Sequence, residues 1–187
     1  MNQKFNFIKT DINGVVIVEP KIFNDARGYF FESYNEKDFM AGGITNCFIQ
    51  DNQSKSSYGV VRGLHMQLPP YSQAKLVRVI DGKVLDVAVD VRPESETFGK
   101  YVAVELSGDN QRQLFIPRNF LHGFSVLSKS AIFAYKVDNV YNKESEFGIR
   151  YDDPKIGVDW KLPKDKIITS DKDRIANSLK DLLQKIR

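Results

Sequence analysis

The sequence of 187 residues has one cysteine, Cys47, and no apolar run near the ~20 residues that a membrane-spanning helix requires. A lone cysteine excludes an intramolecular disulfide and a cysteine-based zinc site, and it is typical of proteins in a reducing compartment. Residues 1–13 contain no apolar run of the ~7–15 residues found in signal peptides. We therefore expect a cytoplasmic protein without a membrane partner.

The sequence also has little excess charge of either sign. Its 27 basic and 24 acidic residues give a formal charge of +3, and the basic residues are spread along the chain. Nucleic-acid-binding proteins usually concentrate positive charge in one patch, so no nucleic-acid partner is predicted. Hydrophobic residues make up 42% of the chain, which excludes a disordered protein. Residues 1–187 are predicted to form a single domain.

Alternating apolar residues are the main feature of the middle of the chain. Residues 85–91 alternate with a period of two, and residues 101–106 and 131–137 do so again. This period is typical of β-strands, and the 13 Phe and 8 Tyr residues also favour strands. Asp81-Gly82 follows the apolar segment 75–80 and predicts a tight hairpin. The pattern predicts an all-β sandwich or barrel.

Helical patterns are confined to two segments. Residues 35–40 favour a single short helix. Near the C-terminus, a helix is predicted over about residues 172–186, and it is expected to pack against the barrel or a second subunit. The apolar residues expected on one face of that helix are Ile175, Leu179, Leu182, Leu183 and Ile186.

Three adjacent aromatic residues near the N-terminus, Tyr29, Phe30 and Phe31, follow a predicted turn over residues 23–28. Successive side chains of a strand point to opposite faces, so these three cannot all point into a core. At least one is therefore exposed, stacked on a ligand, or covered by a neighbouring subunit.

The glycines and histidines of the central region follow a known spacing. Gly59, His65, Gln67, Lys75 and Gly82 occupy the positions of the first cupin motif, which has a glycine, two histidines, a glutamate and a second glycine. The second cupin motif is echoed by Pro117, Asn119 and His122. Cupins are small double-sheet β-barrels, so this resemblance implies a jelly-roll fold that agrees with the strand pattern.

Two metal-ligand positions of that motif are changed. Gln67 replaces the second histidine and Lys75 replaces the glutamate. A protonated lysine cannot be a ligand and would repel a divalent cation. His65 and His122 alone do not make a stable zinc or iron site, so no metal is predicted.

A histidine and a lysine in one barrel mouth favour proton abstraction beside a carbonyl group. His65 would take the proton, Lys75 would stabilise the oxyanion, and Tyr135 would return a proton from the opposite face. Each residue also has a structural alternative, because His65 and Tyr135 could belong to the core and Lys75 could be a solvated charge at a strand end.

The residue Gly63 lies between two candidate site residues, Arg62 and His65. Strict alternation would point Arg62 and His65 to opposite faces of their strand. We expect a β-bulge at Gly63 that directs both side chains into the cavity.

From Phe23 to Asp173 the chain resembles the dTDP-4-dehydrorhamnose 3,5-epimerase family of cupin-type nucleotide-sugar epimerases. The matching segments include Phe23-Asn-Asp-Ala-Arg-Gly, Phe31-Glu-Ser-Tyr-Asn, Gln50-Asp-Asn-Gln-Ser, Val61-Arg-Gly-Leu-His-Met-Gln, Lys75-Leu-Val-Arg-Val, Phe120-Leu-His-Gly-Phe and Ser170-Asp-Lys-Asp.

The resemblance implies a cofactor-independent epimerase that inverts C3 and C5 of dTDP-4-dehydro-6-deoxy-D-glucose to give dTDP-4-dehydro-L-rhamnose, for rhamnose and polysaccharide biosynthesis. It implies His65 as the base, Asp173 as the carboxylate that orients it, Lys75 at the C4 oxygen and Tyr135 as the acid. It also implies a homodimer in which part of the nucleotide pocket comes from the neighbouring subunit. The implied substrate-binding residues are Phe23, Arg27, Phe30, Glu32, Gln50, Asn52, Arg62, His122, Tyr141, Glu146 and Lys172.

Some positions leave alternatives open. Ser170 and Asp173 also form the pattern of a helix capping box, which would explain Asp173 without catalysis. The family's usual tryptophan and two of its usual glycines are replaced, and one loop has an unusual tyrosine. A single-centre epimerase or a non-catalytic nucleotide-sugar-binding cupin are therefore the alternative functions. The departures from the family pattern are Phe115, Asn119, Ala74 and Tyr71.

Overall fold

The computed structural model describes residues 4–186. In this range it has thirteen β-strands and three α-helices, with single 3₁₀ turns at Lys143–Ser145 and Lys164–Lys166. The strands are β1 Phe5–Lys9, β2 Val16–Pro20, β3 Phe23–Asp25, β4 Gly28–Phe30, β5 Gln50–Ser57, β6 Val61–Gln67, β7 Lys75–Asp81, β8 Lys83–Asp90, β9 Tyr101–Ser107, β10 Gln113–Ile116, β11 Phe120–Val126, β12 Ser130–Val137 and β13 Glu146–Gly148. The helices are α1 Glu36–Ala41, α2 Asp171–Arg174 and α3 Leu179–Lys185.

Two antiparallel sheets make up the body of the fold. The larger sheet has the order β1-β2-β10-β7-β12-β5, and the smaller has the order β13-β6-β11-β8-β9. Within the described range no strand ladder joins the two sheets, so they form a double layer and not a closed barrel. The all-β, double-sheet prediction is confirmed, and β3 and β4 form a separate hairpin.

The apolar interior lies between the two sheets. Both sheets contribute to it, with Val77 and Leu114 from the larger sheet and Val84 and Phe124 from the smaller one. A second apolar cluster covers the outer face of the smaller sheet, and a third covers the outer face of the larger sheet near α1. Strand β8 is therefore buried on both faces. Its alternate side chains point into two different apolar cores, and neither face is turned toward solvent.

The predicted hairpin at Asp81-Gly82 is wrong. Strands β7 and β8 belong to different sheets, so the chain crosses from one layer to the other at Gly82. Gly82 has a φ of 81°, and a Cβ there would lie 2.1 Å from the Ser130 carbonyl oxygen. Gly82 therefore allows a sharp change of chain direction between the two sheets, close to the start of β12, and not a tight hairpin.

The first predicted helix is present, whereas the C-terminal one is interrupted. Asn35 caps α1 by accepting a hydrogen bond from the Asp38 backbone N–H. Near the C-terminus the backbone of Asn177 bonds to Gly148 and Arg150, which prevents a helical conformation between α2 and α3. The side chains of Ser178 and Asp181 then form a capping box that starts α3.

This interruption changes which C-terminal residues are buried. Leu179 and Leu182 pack on the smaller sheet, as predicted for that apolar face. Ile175 is 84% exposed, because it lies in the break between the helices. Helix α2 is left free to lie beside β6, where it contributes side chains to the cavity described below.

No helix that the structure describes is both long enough and apolar enough to cross a lipid bilayer.

The predicted bulge is present in β6. Between the pairs His122–His65 and Phe124–Arg62, β6 contains one residue more than β11. Gly63 has a φ of 133°, and a Cβ there would lie 2.6 Å from Gly123 Cα. The bulge therefore depends on glycine, and it lets both Arg62 and His65 line the same cavity.

Replacing Gly63→Ala should destabilise the protein by about 2–4 kcal/mol, because the methyl group meets the β11 backbone and the positive φ is unfavourable for alanine. Urea unfolding measures this loss. Gly43→Ala is the matched control, since Gly43 has a φ of 90° but open space around its Cβ position. Equal losses in the two variants would show that strand packing at Gly63 contributes nothing.

Candidate active site

A cavity of about 730 Å³ opens between the two sheets. Strands β5, β7 and β12 form one wall, β6 and β11 form the other, and the segment before and within α2 closes one side. The lining residues are Asn52, Gln53, Ser54, Val60, Val61, Arg62, His65, Lys75, His122, Phe124, Phe133, Tyr135, Ile168, Thr169, Ser170, Lys172 and Asp173.

Inward-facing strand positions place the polar residues of the cavity. Lys75 begins a row that continues with the buried residues Val77 and Val79 of β7. Tyr135 continues the row of Phe133 on β12. Because every second side chain of a strand shares a face, the period that builds the core also aims these groups into the cavity.

His65 and Asp173 form a close pair at the cavity wall. The distance between His65 Nε2 and Asp173 Oδ1 is 2.5 Å, and Asp173 is only 4% exposed. Burial alone would raise the pKa of Asp173, but hydrogen bonds from His65, Ser170 and the Gly63 backbone hold it below its ordinary value. With Asp173 accepting the Nε2 hydrogen, the basic lone pair of a neutral His65 is on Nδ1.

Asp173 also occupies the first turn of α2. The Ser170 hydroxyl accepts a hydrogen bond of 3.1 Å from the Asp173 backbone N–H, so Ser170 is the N-cap. The Asp173 carboxylate lies against His65. Only half of the predicted capping box is therefore present: the Asp173 backbone N–H takes part in the cap, while the Asp173 side chain contacts the histidine.

Lys75 carries a positive charge into a partly apolar cavity. Burial lowers its pKa from 10.5 to about 8, while the negative charges of Asp86 and Glu146 oppose that shift. An ammonium ion with few surrounding dipoles attracts a developing oxyanion more strongly than one in water does.

His122 pairs with a carboxylate that the sequence analysis did not single out. The distance between His122 Nε2 and Asp86 Oδ2 is 2.9 Å, and both side chains are buried. Burial lowers the pKa of His122, although the charge and hydrogen bond of Asp86 act in the opposite direction. Its ring also stacks on Phe133, with the ring centroids 6.0 Å apart.

Tyr135 and Arg62 lie near each other on the cavity walls. Burial raises the pKa of Tyr135, and the charge of Arg62 partly opposes this rise. The phenol therefore remains protonated at neutral pH and can donate a proton. Arg62 Nε donates a hydrogen bond of 3.1 Å to the Ser56 hydroxyl, which fixes the guanidinium at the wall.

A polar chain lies beside the cavity. The Tyr141 hydroxyl donates to Glu146 at 3.0 Å, and Lys172 Nζ lies 2.6 Å from the same carboxylate. Lys172 lines the cavity, whereas Tyr141 and Glu146 do not line it directly. Gln50 lies outside the lining too, and its amide donates to Asn52, which is inside.

Four predicted substrate-binding residues are not brought to this cavity. Phe23, Arg27 and Phe30 belong to the exposed β3–β4 hairpin, and Glu32 follows it. Arg27 pairs with Asp25 and Glu32 pairs with Lys4. The cavity of one chain is thus formed without the predicted nucleotide-binding hairpin of the same chain.

Gln67 has a structural role at the altered motif position. Its amide nitrogen donates to the carbonyl oxygens of Tyr71 and Val140, and its amide oxygen accepts from the Asn142 backbone N–H. These contacts tie together two loops and use both ends of the amide. Within residues 4–186, no group of three His, Cys, Asp or Glu side chains has an arrangement suited to a metal ion.

One departure from the family pattern has a clear backbone explanation. Asn119 has a φ of 65°, a conformation that glycine adopts freely and that asparagine tolerates better than most residues. Its side chain accepts a hydrogen bond of 3.2 Å from the Ser72 hydroxyl. Asparagine is therefore compatible with the backbone conformation at this position, where glycine is usual.

The sequence analysis missed Asp86, Phe124 and Phe133. A carboxylate in the middle of a strand with apolar neighbours is a signal for a buried charge with a partner, so Asp86 could have been selected. The two phenylalanines stack with centroids 4.2 Å apart and form the apolar floor of the cavity. They resemble ordinary core residues, and nothing in the pattern separates them from the core.

Comparisons with known proteins identify the family to which this chain is similar. A family model for dTDP-4-dehydrorhamnose 3,5-epimerase matches residues 9–181. A protein of that name from Shigella flexneri is 54% identical over 169 residues, which are 90% of this chain and 92% of the relative.

Two crystal structures share the fold. A dTDP-4-dehydrorhamnose 3,5-epimerase from Elizabethkingia anophelis has a TM-score of 0.91 at 51% identity, covering 95% of this chain and 98% of that chain. A dTDP-6-deoxy-D-glucose-3,5-epimerase from Legionella pneumophila, in complex with dTDP-4-keto-L-rhamnose, has a TM-score of 0.90 at 50% identity and covers 94% and 93%. The similarity therefore extends over nearly the whole chain.

Replacing Lys75→Met should stabilise the protein at pH 7 by about 3 kcal/mol. The unfolded chain holds this proton up to pH 10.5 and the folded chain only to about 8, so the charge opposes folding below pH 8. The advantage of the variant should disappear as the pH rises from 8 to 10.5.

Urea unfolding across this pH range tests the expectation. Lys83→Met is the control, because Lys83 is 42% exposed and pairs with Glu105 at the surface, so its change should stay within about 0.5 kcal/mol. A less stable Lys75→Met variant at pH 7 would show that the ammonium is not held in an apolar site.

Proposed function

We propose that this chain, which belongs to the dTDP-4-dehydrorhamnose 3,5-epimerase family, inverts C3 and C5 of dTDP-4-dehydro-6-deoxy-D-glucose to give dTDP-4-dehydro-L-rhamnose. The observation that carries the proposal is the presence of His65 paired with Asp173, Lys75 and Tyr135 in the lining of one cavity. These groups supply a base, a cation for an oxyanion and an acid. The Legionella relative has the corresponding keto sugar bound, which supports this substrate class.

The reaction begins at a carbon beside the ketone. The C4 carbonyl acidifies the hydrogens on C3 and C5, and His65 Nδ1 takes one of them. The electron pair of the broken C–H bond forms an enolate whose charge is on the C4 oxygen, where Lys75 stabilises it. Tyr135 then donates its phenolic proton from the opposite face, and the configuration at that carbon is inverted.

Asp173 prepares His65 for this step. Its carboxylate accepts the Nε2 hydrogen, keeps Nδ1 unprotonated before the reaction and stabilises the imidazolium ion that forms afterwards. The two proton transfers leave His65 protonated and Tyr135 ionised, so a net proton exchange with solvent restores both groups. Every step is a proton transfer, and the scheme uses no cofactor and no metal.

Arg62, Lys172 and His122 provide the polar contacts to the remainder of the substrate in this scheme. Arg62 and Lys172 are cations on the cavity wall and suit a diphosphate, since guanidinium in particular can donate two parallel hydrogen bonds. Asn52 and Gln50 lie on the same edge strand and would continue the site toward the nucleoside.

Incubation with dTDP-4-dehydro-6-deoxy-D-glucose in deuterated water should introduce deuterium at both C3 and C5, as read by NMR. His65→Asn should reduce this exchange by a factor of roughly 10²–10⁴, the usual contribution of a general base. Its affinity for dTDP, measured by calorimetry, should stay close to that of the wild type.

The matched control is Asp171→Asn, an exposed carboxylate two positions before Asp173 in the same helix. It should exchange deuterium at the normal rate. Label at a single carbon would identify a single-centre epimerase, and tight dTDP binding with no label would identify a binding protein. Normal exchange in His65→Asn would show that another group is the base.

The exposed hairpin supports a homodimer with shared sites. Phe23, Tyr29 and Phe30 are 50–66% exposed and lie outside the cavity of their own chain. Covering this apolar surface with a second copy would bury it and would bring the hairpin to the partner's cavity. There Arg27 and the aromatic rings would contact the diphosphate and the thymine ring.

Mixed dimers test this arrangement. The variants His65→Asn and Arg27→Ala/Phe30→Ala should each be nearly inactive alone. Co-expressed with different tags and purified as mixed dimers, they should recover about half of the wild-type activity, because a two-fold dimer then has one intact site. Mixed dimers that remain inactive would place the hairpin's function in its own chain, and a monomer by light scattering would exclude shared sites.

A further inference from the structure

Strand β8 contains two buried carboxylates in very different surroundings. Both Asp86 and Asp90 have no exposed surface. The oxygens of Asp90 accept hydrogen bonds from Arg92, Ser95 and Thr97, so this carboxylate clamps the loop after β8. Its full set of partners explains its burial without any role in the cavity.

Only one of the two carboxylate oxygens of Asp86 has a hydrogen-bond partner among the described residues. Its Oδ2 is 2.9 Å from His122 Nε2, but within residues 4–186 its Oδ1 has no hydrogen-bond partner. A buried carboxylate oxygen without a donor lowers the stability of the fold, so its presence in a native protein requires a structural or functional reason. Asp86 lies on the inward face of β8, which is the face turned toward the cavity that contains the Lys75 ammonium ion.

Lys75 is the cation on which Asp86 acts. Asp86 opposes the effect of burial on the pKa of Lys75 more strongly than Glu146 does. Lys75 and Asp86 lie on facing sheets, at inward positions of β7 and β8. The charged and titratable groups around this point are Asp86 on β8, His122 on β11, Glu146 on β13, Arg62 and His65 on β6, Tyr135 on β12, and Lys172 and Asp173 on α2.

We propose that Asp86 is a positioning residue that keeps Lys75 charged opposite the reacting ketone and fixes the ring of His122 toward the same cavity. The first part is an electrostatic role through space, and the second is a hydrogen bond. The consequence for catalysis rests on the proposed epimerase function, whereas the effect on Lys75 does not.

The two parts follow from one placement. A carboxylate that accepts the Nε2 hydrogen of His122 leaves Nδ1 as the acceptor nitrogen of a neutral ring. The remaining negative charge stays available to the ammonium ion because, among the described residues, Oδ1 accepts no hydrogen bond. Without it, burial would favour the neutral amine, which cannot stabilise an enolate oxygen.

The test is a titration of Lys75 in the substrate-free protein. Protein labelled with ¹³C at lysine Cε gives one signal per lysine, and Lys75→Met identifies the signal of interest. In the wild type its midpoint should lie near pH 8. In Asp86→Asn the midpoint should fall by about one pH unit or more, as expected on loss of a nearby opposite charge.

Asp90→Asn is the matched control, since it removes a buried carboxylate from the same strand. Its Lys75 midpoint should be unchanged. An unchanged midpoint in Asp86→Asn, or equal shifts in both variants, would overturn the proposal. The alkaline limb of deuterium exchange should move down in Asp86→Asn together with the midpoint, which a purely structural defect would not produce.

Failure of the function and failure of this proposal give different results. If the wild type incorporates no deuterium, the epimerase function is wrong, but the Lys75 midpoints still decide the role of Asp86. If Asp86→Asn is too unstable for the titration, its loss of stability on urea unfolding is compared with the loss from the same substitution in the Lys75→Met background. A smaller loss there supports the pairing of the two charges, and an equal loss in both backgrounds overturns it.

Discussion

The enclosure of one ammonium ion in a cavity between two sheets is the constraint on which the site depends. Folding brings Lys75 into surroundings that lower its pKa to about 8, and nearby carboxylates keep most of its charge at neutral pH. The same low polarity that makes this charge unfavourable for stability would make it effective on the oxyanion of the proposed reaction. In that reaction, stability and catalysis make opposite demands on this residue.

The sandwich meets these demands with ordinary strand geometry. Inward-facing rows build an apolar interior, and single positions in those rows carry Lys75, Tyr135, Asp86 and His122. Rigid, fully paired strands hold such groups more precisely than loops do. The exception is His65, which requires both the bulge in its strand and the short helix that carries its carboxylate partner.

Much of the fold and part of the site could be predicted from local patterns. The period of two correctly indicates strands, and a lysine at a metal-ligand position indicates a charge in the cavity. Long-range pairing was harder: Asp81-Gly82 has the same local preferences in a hairpin and in a corner between sheets. The prediction of a continuous C-terminal helix was also wrong, because the Asn177 backbone bonds to Gly148 and Arg150. A helical sequence pattern does not indicate such a contact with a distant segment.

The sequence by itself determined the class of fold, the family and the types of chemical group available. Those properties depend on periodicity and on motifs, both of which are local. Only the tertiary structure decided that Asp173 bonds to the helix cap through its backbone while its side chain contacts His65, and that Asp86 lies with His122 beneath the cavity. The tertiary structure also placed the β3–β4 hairpin outside the cavity of its own chain. Contacts between distant segments depend on the packing of the whole chain, which local patterns do not specify.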